Sequence, residues 1–419
     1  MPLALGVFAL ALAEPPRIGR PPFTTLDAAL LAALAVLVVQ LVPLPAAVRH
    51  AISPAALDFD RAMRVGVADG PSGGAARPLS LDPAATAWAL LVAASVVIVF
   101  WSARRTFAGG GVRRTARVTA WAGLVVSALA IVQHGTAPHL LYWYFRPEAS
   151  SARPYTPFVN RNDLACWLVM AIPLTLGYGV ARVVTRRTST GDIDVESAID
   201  PTAIALASSI CVMLGALLVT QSRSGITGAI AGLLTLILLS RVRSERASGT
   251  WIVVAIAAVV AVATAYANVG ALANRVGDAF TEGVGTRRAI WRETWVMIRD
   301  FWTIGVGAGA YERGMLLYQT SPREDFYFNH AHSEYLQILA EGGVLLAAPV
   351  LVALETGVAA IARRLRGEWS PIYWVRAGAA SGLVAVAVQS VWETGLQLPA
   401  NAVLFAVLAA IALHDSSGR

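Results

Sequence analysis

Apolar residues gather along this chain in long runs, and most runs come close to the ~20 residues a helix needs to cross a hydrocarbon core. Ten lie at about Leu26 to Val48, Ala84 to Ala103, Thr115 to Ala137, Asp163 to Val184, Pro201 to Thr220, Ser224 to Ser240, Trp251 to Asn268, Tyr335 to Ile361, Trp374 to Thr394 and Leu398 to Leu413. Met1 to Ala13 is apolar too, without the positive n-region and small-residue cleavage site of a signal peptide, and reads as a partial or full first span. The expected fold is all-α, a polytopic bundle of about 10–12 transmembrane helices.

Composition agrees with the pattern. Hydrophobic types make up 56% of the 419 residues, charged types 14%, and mean hydropathy is +0.61. A soluble domain carries about 25% charge, so an ordinary water-soluble enzyme and a disordered chain are both excluded. Cys166 and Cys211 sit inside apolar runs and offer neither a disulfide framework nor a zinc cluster.

The net charge is +7, and since the sequence has no lysine, all 33 cations are arginines. Short loops carry Arg104, Arg105, Arg113, Arg114 and Arg117; Arg182, Arg186 and Arg187; Arg241, Arg243 and Arg246; and Arg363, Arg364 and Arg366. Cytoplasmic loops are rich in such residues, and these four alternate correctly with the runs, so all can lie inside together. The outer face then receives His50 to Pro83, Pro138 to Asn162, the turn around Gln221 to Gly225, and Val269 to Glu334. The expected organisation is N-terminal transmembrane helices over 1–268, a large periplasmic loop over 269–334 and C-terminal transmembrane helices over 335–419. Long loops tend to be functional, which directs the search for chemistry outward.

Within the large loop, Arg287 to Trp302 predicts an interfacial amphipathic helix. Trp291, Trp295, Ile298 and Trp302 form one stripe, and Arg288, Arg292 and Arg299 a second. Such a helix either anchors at the headgroup boundary or turns some arginines toward a phosphate. Gly305-Val306-Gly307-Ala308-Gly309 follows. No βαβ unit surrounds it, so a close backbone approach is expected rather than a nucleotide site. The loop ends at His330-Ala331-His332-Ser333-Glu334, where Glu334, Gln337 and Glu341 form one polar stripe on the next helix. That is either a hydrated cap or an acid/base and acceptor-positioning site. Arg223, between two apolar runs, either snorkels or uses its planar fork on a phosphate. Of two Asp-x-Asp pairs, Asp192 and Asp194 read as solvated, while Asp58 and Asp60 on the outer face could hold a divalent cation against a pyrophosphate.

Four local patterns together resemble the O-antigen ligase and O-antigen polymerase superfamily of bacterial polysaccharide assembly: Phe158-Val159-Asn160-Arg161-Asn162, Ser222-Arg223-Ser224-Gly225, Arg287 with Trp291 and the glycine alternation, and His332-Ser333-Glu334-Tyr335-Leu336-Gln337 running to Glu341-Gly342-Gly343. Many members have asparagine where this chain has Ser333, and His330 is an extra histidine. The resemblance implies a glycosyltransferase C type fold in the bacterial inner membrane with its site facing the periplasm. It also implies transfer of a glycan from undecaprenyl pyrophosphate to a hydroxyl of a glycan or lipid acceptor. In that expectation Arg223 and Arg287 bind pyrophosphate, Arg161 and Arg288 assist, and His332 orients or deprotonates the acceptor. His330, Glu334, Gln337 and Glu341 line the substrate site. Neither a cofactor nor a metal is expected, and the partners are donor, acceptor and membrane lipids, with no nucleic acid. Ligases, chain polymerases and protein O-glycosylating members share this architecture. A metal-dependent protein oligosaccharyltransferase and a lipid-linked glycan flippase stand as the alternatives from outside it.

Overall fold

The computed structural model describes residues 23–63, 76–147, 154–185, 200–242, 287–320 and 327–415, together with 5, 6 and 9. The expected span at Trp251 to Asn268, most of Met1 to Ala13, the pair Asp192 and Asp194, Arg186, Arg187, Arg243, Arg246, and residues 269–286 of the large loop lie outside them. The described residues form a polytopic helical membrane protein: α1 (Thr25–Leu41), α2 (Ala46–Ile52), α3 (Pro54–Ala62), α4 (Pro83–Ala108), α5 (Val112–Thr136), α6 (Arg161–Thr185), α7 (Pro201–Thr220), α8 (Arg223–Val242), α9 (287–300), α10 (Tyr311–Tyr318), α11 (Glu334–Arg366), α12 (Ile372–Gln389) and α13 (Pro399–Ala412). Seven of these (α4–α8, α11 and α12) are long and apolar enough to cross a membrane, and α1 and α13 are shorter apolar helices.

One boundary departs from the hydropathy. The run at Leu26 to Val48 breaks after Leu41, and Ala46–Ile52 forms a separate short helix. Pro43 and Pro45 remove two backbone donors and push the residues before them out of helical geometry.

Helix α6 is the axis of the bundle, buried along nearly its whole length. Small residues let its neighbours approach, the usual means of helix association where lipid offers little hydrophobic driving force. A Cβ on Gly177 would fall 2.2 Å from the Trp374 carbonyl oxygen of α12, and one on Gly378 would fall 2.4 Å from that of Pro173. Gly228 and Gly232 bring α8 close to Ala385, where a Cβ would fall at 2.7 and 2.9 Å. At the opposite end from most of the cytoplasmic-type arginines, a second core joins Ile290, Met297 and Ile298 of α9, and Phe301 just after it, to Tyr311, Met315, Phe328, Ala331 and Ala340. The packed face of α9 is therefore offset from its tryptophan stripe: Trp295 and Trp302 are exposed, whereas Ile298 is buried and Trp291 donates to the Ala331 carbonyl at 3.0 Å.

The glycine alternation has a structural role. Helix α11 breaks at Gly343 (φ +56, ψ −160), and the segment 302–307 pairs with the break. Val306 and Gly307 N–H groups donate to Ala340 and Glu341 (2.9 and 3.0 Å), while Val344 and Leu345 donate to Trp302 and Thr303 (2.8 and 3.1 Å). Gly305, Gly307 and Gly309 all have positive φ, and a Cβ on Gly305 would lie 2.2–2.4 Å from the Glu341–Gly342 main chain. The fully buried Gln40 of α1 locks the loop, donating to Ile304 and Glu341 carbonyls and accepting from Ala308 N–H.

Candidate functional site

The loops and helix starts at this same end meet around Glu393, which lies in the turn after α12 and is 4% exposed. Its Oε1 accepts from Arg287 Nη2 at 2.5 Å and from Asn162 Nδ2 at 2.9 Å, and its Oε2 lies 3.7 Å from His332 Nδ1. One carboxylate thus joins the first turn of α6, the start of α9 and the loop before α11. Sequence reasoning selected Arg287 and His332 but missed Glu393. A lone acidic residue at the end of the apolar run ending at Thr394 was the available signal.

Local folding explains why His332 reaches this point. Its backbone is left-handed (φ +48), a conformation rare for a non-glycine residue and held only where surroundings dictate it. Ala331 beside it is fully buried, its carbonyl receiving Trp291 and its N–H donating to Gln337 Oε1 at 2.7 Å. Gln337 in turn donates to Glu341 at 2.7 Å. On the other side, Glu334 N–H donates to the Ser390 carbonyl and Glu334 Oε1 accepts from Leu396 N–H at 2.7 Å, which ties the histidine loop to the turn bearing Glu393. Tyr335 adds a bond to the Ala387 carbonyl. The polar stripe Glu334, Gln337 and Glu341 therefore faces protein partners and holds the loop from beneath. His330 lies alongside, its Nδ1 buried without a hydrogen-bond partner among the described residues. Burial, then the neighbouring His332, lowers its pKa below the ordinary imidazole value.

The remaining selected arginines sit at helix starts. Arg161 opens α6 and Arg223 opens α8; both are exposed, as is Arg288 in the first turn of α9. Ser222 caps α8, its Oγ accepting from Gly225 N–H, and Gly225 lies so close to α6 that a Cβ there would be 2.7 Å from Ala165 Cβ. Gln389 donates to the Asn162 carbonyl and Asn401 to the Asp163 carbonyl, fastening the start of α6 to the end of α12 and the start of α13. Of the selected arginines, Arg287 is the one the structure brings to Glu393, while Arg161, Arg223 and Arg288 stand exposed at the starts of α6, α8 and α9.

The Asp58 and Asp60 pair is arranged differently from a cation clamp. Two residues apart on α3, the side chains diverge by about 200° at ~100° per residue. Asp60 pairs with Arg49 and with Arg77 at 3.3 Å, and Asp58 with Arg61 at 3.0 Å.

A family model described as O-antigen ligase matches residues 208–351, about a third of the chain. The resemblance to the O-antigen ligase and polymerase superfamily rests on this match as well as on the motifs. The matched stretch contains Arg223, Arg287, the glycine alternation and His332, and ends before Glu393. A search of curated proteins gives no match.

Proposed function

We propose that this chain, similar to the O-antigen ligases over residues 208–351, is a membrane glycosyltransferase that moves a glycan from a polyprenyl pyrophosphate to an acceptor hydroxyl on the outer face of the bacterial inner membrane. The observation that carries the reading is the convergence of Arg287, His332 and Asn162 on the buried carboxylate of Glu393, beside the starts of α6 and α8.

Each part answers a need of that reaction. Breaking a sugar to pyrophosphate bond leaves a highly charged group. Fixed guanidinium groups and helix N-termini can stabilise it where it develops, in a setting with less water than bulk. Arg223 and Arg287 are assigned to the pyrophosphate, with Arg161 and Arg288 next to them. His332 has Nδ1 turned toward Glu393, which leaves Nε2 to take the acceptor proton as the hydroxyl attacks the anomeric carbon. The carboxylate, 3.7 Å from Nδ1, faces the charge the imidazole then acquires, the electrostatic half of what a histidine–carboxylate pair does. Attack opposite the leaving pyrophosphate inverts the anomeric centre. Glu334, Gln337 and Glu341 act as positioning residues through the histidine loop, and His330 forms one wall of the acceptor side.

The test is a reconstituted transfer assay with a defined lipid-linked oligosaccharide. His332→Ala and Arg223→Ala abolish transfer while membrane expression stays normal; normal transfer by either variant refutes the assignment. Release of free polyprenyl pyrophosphate distinguishes transfer from flipping.

A further inference from the structure

Between α5 and α6 the chain makes a tight turn that carries four consecutive aromatic residues. Leu141 N–H donates to the Phe145 carbonyl at 2.7 Å and Phe145 N–H returns to the Leu141 carbonyl at 2.9 Å, closing the turn. At its tip Tyr142 and Trp143 have φ of +53 and +62. Hairpin turns give such a left-handed pair to Asn-Gly or Gly-Gly. Ring-bearing residues there are strained and persist only where the surroundings dictate them. The outcome is that Tyr142, Trp143, Tyr144 and Phe145 all stand exposed side by side, Tyr144 at 91%, with Arg146 exposed next to them.

The turn is fixed to the bundle. Trp143 Nε1 donates to Thr136 Oγ1 at 2.7 Å, Tyr142 N–H to Thr156 Oγ1 at 3.1 Å, and Thr156 N–H to the buried Gln133 of α5 at 3.1 Å. Tyr155 stacks on His134 with ring centroids 4.5 Å apart and donates to the Val219 carbonyl of α7 at 3.1 Å. What faces the rings follows from Thr136. Val118, Trp121, Val125, Leu129 and Val132 are the exposed large apolar residues of α5, and at ~100° per residue they and Thr136 fall within an arc of about 80°. On a helix long and apolar enough to cross a membrane, that exposed apolar stripe is the one turned to lipid. The stripe also gives the depth. Arg113, Arg114 and Arg117 mark its far end, and Thr136 lies nineteen positions on from Arg117. At ~1.5 Å per residue that is about 28 Å, against roughly 30 Å for a hydrocarbon core. Trp121 and Trp143 thus occupy the two interfacial levels where tryptophan gathers.

We infer that the aromatic turn 141–146 seats in the headgroup layer of the phospholipid leaflet at the site end of the bundle, its rings at the boundary with the acyl chains. Tyrosine and tryptophan, apolar with a polar tip, suit that layer, and Arg146 supplies a cation for lipid phosphate. A glycan also stacks on exposed rings, but a sugar platform has no need to continue the lipid-facing line of α5 or to stop at the edge of the hydrocarbon. This contact requires no glycan and no transfer.

The experiment is spin labelling of the full chain in phosphatidylcholine nanodiscs, with a nitroxide on Tyr144→Cys in a Cys211→Ser background; Cys166 is buried and stays unlabelled. Native Cys211, exposed midway along α7, gives the reference for the hydrocarbon core when labelled in the unsubstituted chain, and free nitroxide in buffer gives the reference for water. Oxygen, which concentrates in lipid, collides with the label at 144 more often than a water-soluble nickel chelate does, and the ratio of the two falls between the references. A label-free arm uses Trp143→Phe: the emission lost in that variant is emission that phosphatidylcholine brominated near its headgroup quenches and iodide does not. The assignment is overturned by a collision ratio matching either reference, by quenching of the Trp143 emission by iodide, or by exclusion of the nickel chelate that appears only when a lipid-linked oligosaccharide is added, which would give the rings to a glycan.

Discussion

Replacing Glu393 by glutamine tests the centre of the proposed mechanism while nearly preserving its shape. The variant keeps an oxygen that can accept from Asn162 at 2.9 Å, but removes the charge facing Arg287 at 2.5 Å and His332 at 3.7 Å. Arg287 is about a third exposed, so solvent screens its side of the pair, and about 1 kcal/mol of stability is at stake there rather than the 3–5 kcal/mol of a fully buried pair. Thermal unfolding should therefore fall by only a few degrees. The rate should respond more, because the lost carboxylate balances the charge His332 gains in the transition state. A charge-assisted interaction of ~1.5–3 kcal/mol corresponds to a loss of roughly ten- to hundredfold in transfer rate. The assay is single-turnover transfer from a defined lipid-linked oligosaccharide, with donor affinity measured separately by binding. A double-mutant cycle with Arg287→Ala should give a coupling near 1 kcal/mol in stability. Transfer by Glu393→Gln at the wild-type rate, or a loss confined to donor binding, would refute the role assigned to this carboxylate.

Three further outcomes follow from the same geometry. Gly305→Ala forces a side chain onto the Glu341 main chain at a positive φ, so loss of about 3 kcal/mol or outright failure to accumulate in the membrane is expected, read by thermal unfolding or protein level. His330 has a folded-state pKa below its unfolded value, so the unfolded chain binds more protons; stability contributed by the neutral ring is present above the ordinary imidazole value of 6.5 and declines as pH falls through it. His330→Gln should flatten that acid limb of the unfolding profile, and an unchanged slope would count against it. Asp58→Asn should leave transfer intact and EDTA should not inhibit it, because the two carboxylates of α3 diverge and pair with arginines; inhibition by either would revive the metal-dependent alternative.

The membrane helices were readable because lipid imposes a single long apolar signature, and the elements from Ala84 to Leu413 fall close to the runs that mark them wherever the chain is described. What hydropathy could not supply was the conformation of the polar and glycine-rich stretches. Nothing in a composition window separates Leu41 from Ala46, yet two prolines do, and nothing apolar announces the break at Gly343. Arg287 was legible through the family motif and His332 through the polar stretch that opens an apolar helix, and the structure brings both to one carboxylate. Glu393 was not, because its meaning depends on the fold of α12 and on the Glu334 to Leu396 bond, which join residues about sixty positions apart. Glu334, Gln337 and Glu341 stood out as polar positions on an apolar helix, but sequence could not tell contact with substrate from support of the loop above. The bonds to Leu396, Ala331 and Gln337 support the positioning role proposed for them.

The break in α11 also bears on how the protein is made. Carbonyls of Ala340 and Glu341 and amides of Val344 and Leu345 find their partners in segment 302–307, which leaves the ribosome first. A backbone group without a partner in hydrocarbon costs several kcal/mol, so four of them would keep the bent helix from settling in lipid alone. The segment 302–307 must already be folded against α1, where Gln40 holds it, before α11 can take its native shape. It serves as the template on which a later helix is bent, so that an earlier stretch of chain sets the shape of one made after it.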